Sequence, residues 1–97
     1  MVEKARAGRP NGAELALLHC VSAYPVEPGD ANLAAVHRLA KRFGDVATIG
    51  YSDHTLGTQA ATLAIGADAR VIEKHFTLDR NYSDFRDHQL SADPAMM

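Results

Sequence analysis

Residues 30–50 read DANLAAVHRLAKRFGDVATIG, and two different periodicities meet inside this stretch. Leu33, Val36, Leu39, Ala40 and Phe43 recur at helical spacing, which leaves His37, Arg38, Lys41 and Arg42 on or near the opposite face. Asp30 suits the N-cap position, Lys41 and Arg42 place cations in the last turn where the macrodipole favours them, and Gly44 supplies a stop. Val46 to Ile49 then forms a short β-branched run closed by Gly50, which reads as a strand. A helix that feeds directly into a strand sets the frame for the residues on either side.

Toward the amino end, Leu15, Ala16, Leu17 and Leu18 form a continuous apolar run ending at His19 and Cys20. Such a run suits a strand buried on both faces, and Pro25, Pro28 and Gly29 break regular structure after it. Residues 1–12 are polar, with Gly8, Pro10, Asn11 and Gly12 clustered, so they read as a frayed helix end or a tail entering a turn. Toward the carboxyl end, a loop from Tyr51 to Thr55 precedes an Ala-rich helix from Gly57 to Ile65, expected to be mostly buried and to stop at Gly66. Ala69 to Ile72 follows as a third strand running into Glu73, Lys74 and His75, and Thr77 to Met97 is polar with a short helix near its end.

The order strand, helix, strand, helix, strand makes two right-handed βαβ units and three neighbouring parallel strands. A sheet so small, with helices on one side, leaves two unpaired edges and a bare apolar face, which isolated domains avoid. The expected fold class is therefore α/β, an arc of a TIM (β/α)8 barrel, with residues 1–97 as one partial barrel domain. A complete barrel takes about 250 residues.

Composition narrows the functional classes. The chain is 46% hydrophobic and 23% charged, an ordinary globular mix, and ten Lys and Arg against twelve Asp and Glu give a net charge of −2 without any block of like charge. That argues against nucleic acid or an anionic membrane as partner. One cysteine makes no intrachain disulfide, and residues 1–10 carry charges without an apolar run, so a cytoplasmic setting without signal peptide or membrane span is expected.

In such barrels the active site lies at the carboxyl ends of the strands. Ser22 and Tyr24 follow the first strand, Ser52, Asp53 and His54 the second, and Glu73, Lys74 and His75 the third. The opposite ends offer Gly44, Asp45, Gly66 and Asp68, which are turn residues. Imidazoles on adjacent strand ends can converge on one divalent metal and leave coordination positions open, although each of His54 and His75 can equally bond within its own loop. Ser22 and Ser52 suit phosphate or carboxylate contacts or local caps, and Tyr24 suits ligand contact or packing. Asp53 can orient a histidine or cap the helix that starts near Gly57. Glu73 and Lys74 point to opposite faces, so at most one faces the barrel interior. His19 reads as a satisfied core group, His37 as solvated and Cys20 as an inert buried thiol. Asp87, His88 and Ser91 either close over the site or form a surface loop.

Four strings, HCVSAYP (19–25), GYSDHT (50–55), IEKHFT (72–77) and DHQLSADP (87–94), occur in this order and spacing. Together they resemble the sialic acid synthase family, over a span from about Leu17 to Pro94. Members of that family condense phosphoenolpyruvate with N-acetylmannosamine or a related sugar, giving a nine-carbon 2-keto sugar acid and phosphate. The resemblance implies that His54 and His75 are the catalytic pair and bind the divalent ion, commonly manganese, with magnesium or cobalt as substitutes. It places Ser22 and Ser52 at phosphoenolpyruvate, some members carrying Asn in place of Ser22, and Tyr24 and Asp87 at the N-acetylated amino sugar. Residues 81–86 are more polar and slightly longer than the Gly-containing loop common in the family.

The family's phosphate-gripping lysines on earlier strands find no match here, nor does its C-terminal antifreeze-like domain, which reaches across a homodimer. The expectation is thus a chain that carries the sixth to eighth strands and is inactive alone. Two other readings stand beside it: a non-catalytic barrel piece that binds metal or self-associates, and a different metal-dependent barrel enzyme such as a hydrolase.

Overall fold

Strands β1 (Ala16–Cys20), β2 (Thr48–Asp53) and β3 (Val71–Lys74) alternate with helices α2 (Ala34–Phe43) and α3 (Gln59–Gly66), flanked by α1 (Val2–Gly8) and α4 (Arg86–Leu90). The computed structural model describes residues 2–8, 10 and 13–97. The strands are parallel in the order β1-β2-β3, with Leu18, Gly50 and Val71 aligned in one row and Cys20, Ser52 and Glu73 in another. The α/β arc of three parallel strands and two intervening helices is therefore present, as the order of periodicities predicts. Among the described residues no helix is long and apolar enough to cross a membrane.

Strand alternation decides which residues meet the helices. Ile49 and Tyr51 of β2 are buried with Val36 of α2, Ala64 of α3 and Ala69, and Leu17, Leu33, Leu39, Phe43 and Ile72 pack around them. Each large apolar side chain fully buried there contributes roughly 1.5–3 kcal/mol. The other face of the sheet carries Leu18, Gly50, Ser52, Val71 and Glu73. Its outer strands are open, with Ala16, Cys20, Val71 and Glu73 exposed, so β1 is covered on one face rather than on both. The helix α3 also departs from expectation. Ala64 is its buried residue, while Leu63 and Ile65 are 57% and 60% exposed, because its apolar residues surround the helix instead of forming one stripe.

Several boundaries shift for local reasons. Asp30 does not cap α2; it ends a 3-10 turn at Pro28–Asp30, where proline's fixed φ suits a first turn. Asn32 then adopts φ 47°, a left-handed conformation that Asn tolerates, and α2 begins two residues later. The strand β2 does not stop at Gly50 but runs on to Asp53, so Tyr51, Ser52 and Asp53 are strand residues and not loop. The third strand starts at Val71 rather than Ala69. Near the amino end the helix expectation is met by α1, whereas Asn11 and Gly12 of the turn cluster lie outside the described residues.

Gly50 serves close approach. A Cβ there would stand 2.5 Å from the Val71 carbonyl oxygen and 3.0 Å from Leu18 Cγ. The flanking strands can draw together over this position only because it lacks a side chain. Gly50→Ala is expected to cost about 1–3 kcal/mol through overpacking. Thermal unfolding followed by circular dichroism should show a melting temperature lower by at least about 4 °C; an unchanged value would contradict the packing argument.

Candidate active site

The carboxyl ends of the three strands gather three rings, His54, Tyr24 and His75. His54, one residue past β2, is 5% exposed, and its Nδ1–H donates to the Val21 carbonyl at 2.9 Å. A carbonyl only accepts, so this bond fixes the tautomer and leaves the lone pair on Nε2. Among the described residues Nε2 has no protein partner, and no buried side-chain nitrogen or oxygen is unpaired, so Nε2 meets solvent. The backbone of His54 is held as well, its carbonyl accepting from Val26 N at 2.9 Å.

Tyr24, in the loop after β1, stacks on His54 with ring centroids 4.2 Å apart and planes inclined at 29°. His75, one residue past β3, meets the His54 ring at 5.4 Å and 68°, and the Tyr24 ring edge-on at 5.9 Å and 87°. The Arg86 guanidinium lies 5.1 Å from the Tyr24 centroid, within cation–π range. Asp87 Oδ2 is 3.9 Å from His75 Nδ1, close enough for charge attraction but too far for a hydrogen bond.

The last segment returns to these rings because Ala92 bridges to Phe76: Ala92 N donates to the His75 carbonyl at 2.8 Å, and Thr77 N donates to the Ala92 carbonyl at 2.9 Å. His88 is tied to Thr77 Oγ1 at 3.0 Å, and Ser91 Oγ bonds the Asp87 carbonyl at 2.5 Å. Of the two readings of Asp87, His88 and Ser91, the segment thus closes over the strand ends.

Beneath the rings, on the helix side of the sheet, Asp53 is fully buried. Its Oδ1 accepts from Thr55 N at 2.9 Å, Thr55 Oγ1 at 2.8 Å and Tyr51 Oη at 3.3 Å, while its Oδ2 accepts from Lys74 Nζ at 3.1 Å. Lys74 Nζ donates also to the Thr55 carbonyl at 2.8 Å. Asp53 therefore neither bonds a histidine nor caps α3, whose N-cap is Thr58 without a side-chain bond. Its position in the strand, not the loop, turns it toward the helices. Burial, with the Asp53 carboxylate beside it, pushes the Tyr51 phenol up to about 12.

On the open face Ser52 Oγ donates to Glu73 Oε1 at 2.8 Å, so of Glu73 and Lys74 it is Glu73 that faces the barrel side. Ser22 is exposed in the loop after β1, next to the Val21 carbonyl that holds His54 and two residues before Tyr24. Cys20 is not buried: it is exposed on the open face with Sγ 3.9 Å from His54 Nδ1. His19 Nε2 donates to the Ala31 carbonyl at 2.9 Å, a satisfied internal group, and exposed His37 pairs with Asp68 at 2.7 Å.

Arg86 was not anticipated, since nothing in its spacing tells which ring α4 will approach. A concavity at the other end of the sheet, between Glu14, Ala47, Thr48, Asp68 and Arg70, touches none of the clustered groups.

Among the described residues, no three His, Cys, Asp or Glu side chains form a complete metal-ligand group. The chemistry of His54 and His75 nevertheless fits a divalent ion. One imidazole has its tautomer fixed with Nε2 available, the other stands beside it with a carboxylate near its Nδ1, and outer carboxylates and carbonyls of this kind are what orient metal-binding imidazoles.

Three parallel strands alternating with helices, with imidazoles meeting beyond their carboxyl ends, make this an arc of a (β/α) barrel. The chain belongs to the NeuB family, whose pattern matches residues 3–97. It is 51% identical over 83 residues to the N,N'-diacetyllegionaminic acid synthase of Legionella pneumophila, covering 86% of this chain and 22% of that protein. With the N-acetylneuraminate-9-phosphate synthase of Drosophila melanogaster it shares 45% identity over 87 residues, covering 89% and 23% respectively. A crystal structure of N-acetylneuraminic acid synthetase from Leptospira borgpetersenii in complex with citrate superposes with a TM-score of 0.77 at 43% identity, over 84% of this chain and 27% of that one. The chain thus spans about a quarter of the length of the relatives it matches. Similarity across most of the chain excludes an unrelated hydrolase that shares only the two histidines.

The raised pKa of Tyr51 carries a stability sign. The folded state holds the phenol neutral above its ordinary value of 10, so the associated stability is full below pH 10 and is lost as pH rises toward about 12. Tyr51→Phe should therefore flatten the decline in melting temperature between pH 10 and 12 seen in the parent chain; identical alkaline profiles would count against the assignment.

Proposed function

We propose that these residues form the metal-binding and sugar-facing rim of a synthase that joins phosphoenolpyruvate to an N-acetylated amino sugar, giving a nine-carbon 2-keto sugar acid and phosphate. The observation that carries this reading is the meeting of His54, His75, Tyr24 and Asp87 at one end of the sheet. Family membership supports the synthase class.

His54 and His75 would hold the divalent ion, manganese first and magnesium or cobalt as substitutes. Bound there, the ion supplies Lewis-acid polarisation of the sugar's carbonyl oxygen. The protein's own groups do the positioning. The Val21 carbonyl keeps His54 in the tautomer that leaves Nε2 available, and Tyr24 stacking restricts the ring's rotation. Tyr24 and Asp87 hold the sugar, the one by its ring face and hydroxyl, the other by accepting hydrogen bonds from sugar hydroxyls. Ser22 and Ser52 meet the enolpyruvate. Ser52 donates its proton to Glu73 in the free chain, so contact with an anionic substrate requires that donation to be exchanged. Matching relatives are named for N,N'-diacetyllegionaminic acid and for N-acetylneuraminate-9-phosphate, so similarity at this level leaves the sugar to be chosen by groups such as those on α4.

Calorimetric titration with Mn2+ tests the reading. Saturable binding by the chain is expected, with affinity reduced in His54→Ala and in His75→Ala by more than the about 10–100-fold typical of outer partners. Failure of the parent chain to bind manganese would overturn the metal assignment. In a chain of the relatives' length that carries these residues, phosphate release from phosphoenolpyruvate should depend on added N-acetylmannosamine.

A further inference from the structure

We infer that the buried Asp53–Lys74 pair is a positioning device that fixes His54 relative to His75 from the far side of the sheet. The inference rests on reading those two imidazoles as the working groups of the site. The parallel ladder between β2 and β3 ends at the pair Asp53 and Lys74, so no ladder bond sets the spacing of the next residues, His54 and His75.

Lys74 takes over where the ladder stops. Its ammonium bonds Asp53 Oδ2 at 3.1 Å and the Thr55 carbonyl at 2.8 Å, the residues on either side of His54, while Lys74 itself immediately precedes His75. Asp53 Oδ1 locks the same bracket by accepting from both Thr55 N and Thr55 Oγ1. One ammonium thus ties both flanks of one imidazole to the neighbour of the other.

Stability alone explains this arrangement poorly. The Asp53 side chain is 0% and the Lys74 side chain 8% exposed, and burying two charges costs desolvation that an apolar pair of similar volume would avoid. What an apolar pair lacks is direction. Strand alternation sends Asp53 and Lys74 toward the helices, so the clamp acts without occupying space on the ring side.

Two variants and one control test the inference in the 97-residue chain. Lys74→Met strands the Asp53 carboxylate and should unfold at lower temperature. The double variant Asp53→Asn with Lys74→Met removes the stranded charge, keeps the acceptor for Thr55, and should regain much of that loss. Imidazole resonances of His54, displaced by the stacked Tyr24 ring, report geometry without metal. In the double variant they should move toward unstacked values, and Mn2+ affinity should fall about 10–100-fold. Val36→Ala, which loosens the core elsewhere, should lower the melting temperature and leave the His54 resonances unchanged.

A folded double variant with parental resonances overturns the inference. So does a double variant as unstable as Lys74→Met, because the pair is then an element of the fold. If the parent chain binds no manganese, the metal reading fails while the resonances still decide whether the pair positions the rings.

Discussion

The parallel register that sets Cys20, Ser52 and Glu73 side by side governs everything built on this sheet. Successive residues of a strand face opposite sides, so a slip of one residue in β2 would send Ser52 into the helices and Asp53 to the open face. Two features hold the register. Ile49 and Tyr51 fit between Val36 and Ala64 only in this phase, and Gly50 is the position where the flanking strands come close enough to exclude a side chain. Once the phase is set, His54 and His75 emerge beyond neighbouring strand ends and their rings meet.

The polar groups at this end divide into two kinds according to face. On the helix side Asp53, Lys74, Tyr51 and Thr55 satisfy one another, as buried polar groups must when water is excluded. On the ring side the groups keep unused capacity: His54 Nε2 meets solvent, Asp87 stops short of bonding His75, and Ser52 has a single donation to an exposed carboxylate. A saturated network beneath an unsaturated one is a physically sensible division, since rigid support leaves the upper groups free to bind something else.

The fold was legible in the sequence where periodicity was strong. Leu33, Val36, Leu39 and Phe43 announce α2, and the alternation of such helices with short β-branched runs implies a parallel arc. Legibility failed where a residue has two uses. Gly50 looks like a strand end by propensity, yet it marks a close approach within a longer strand, and the error carried Ser52 and Asp53 into a loop they do not occupy. Strand-end placement named His54, His75 and Tyr24, Asp87 stood in a last-loop cluster with two readings, and the resemblance supplied the roles of all four. Neither conveys which carbonyl fixes a tautomer, or that Asp53 faces Lys74, because those depend on the register between strands.

Each ring at the site is held by an element other than its own. His54 follows β2 but is fixed by the Val21 carbonyl and the Tyr24 ring of the loop after β1. His75 follows β3 but its carbonyl is held by Ala92, and Asp87 approaches it from α4. Tyr24 in turn lies under Arg86. Local sequence therefore cannot form any part of the cluster alone, and a disturbance of one loop reaches all the rings through the others. The interdependence makes geometry at the strand ends a property of the whole arc, so a clamp on the opposite face of the sheet would act on all the rings together.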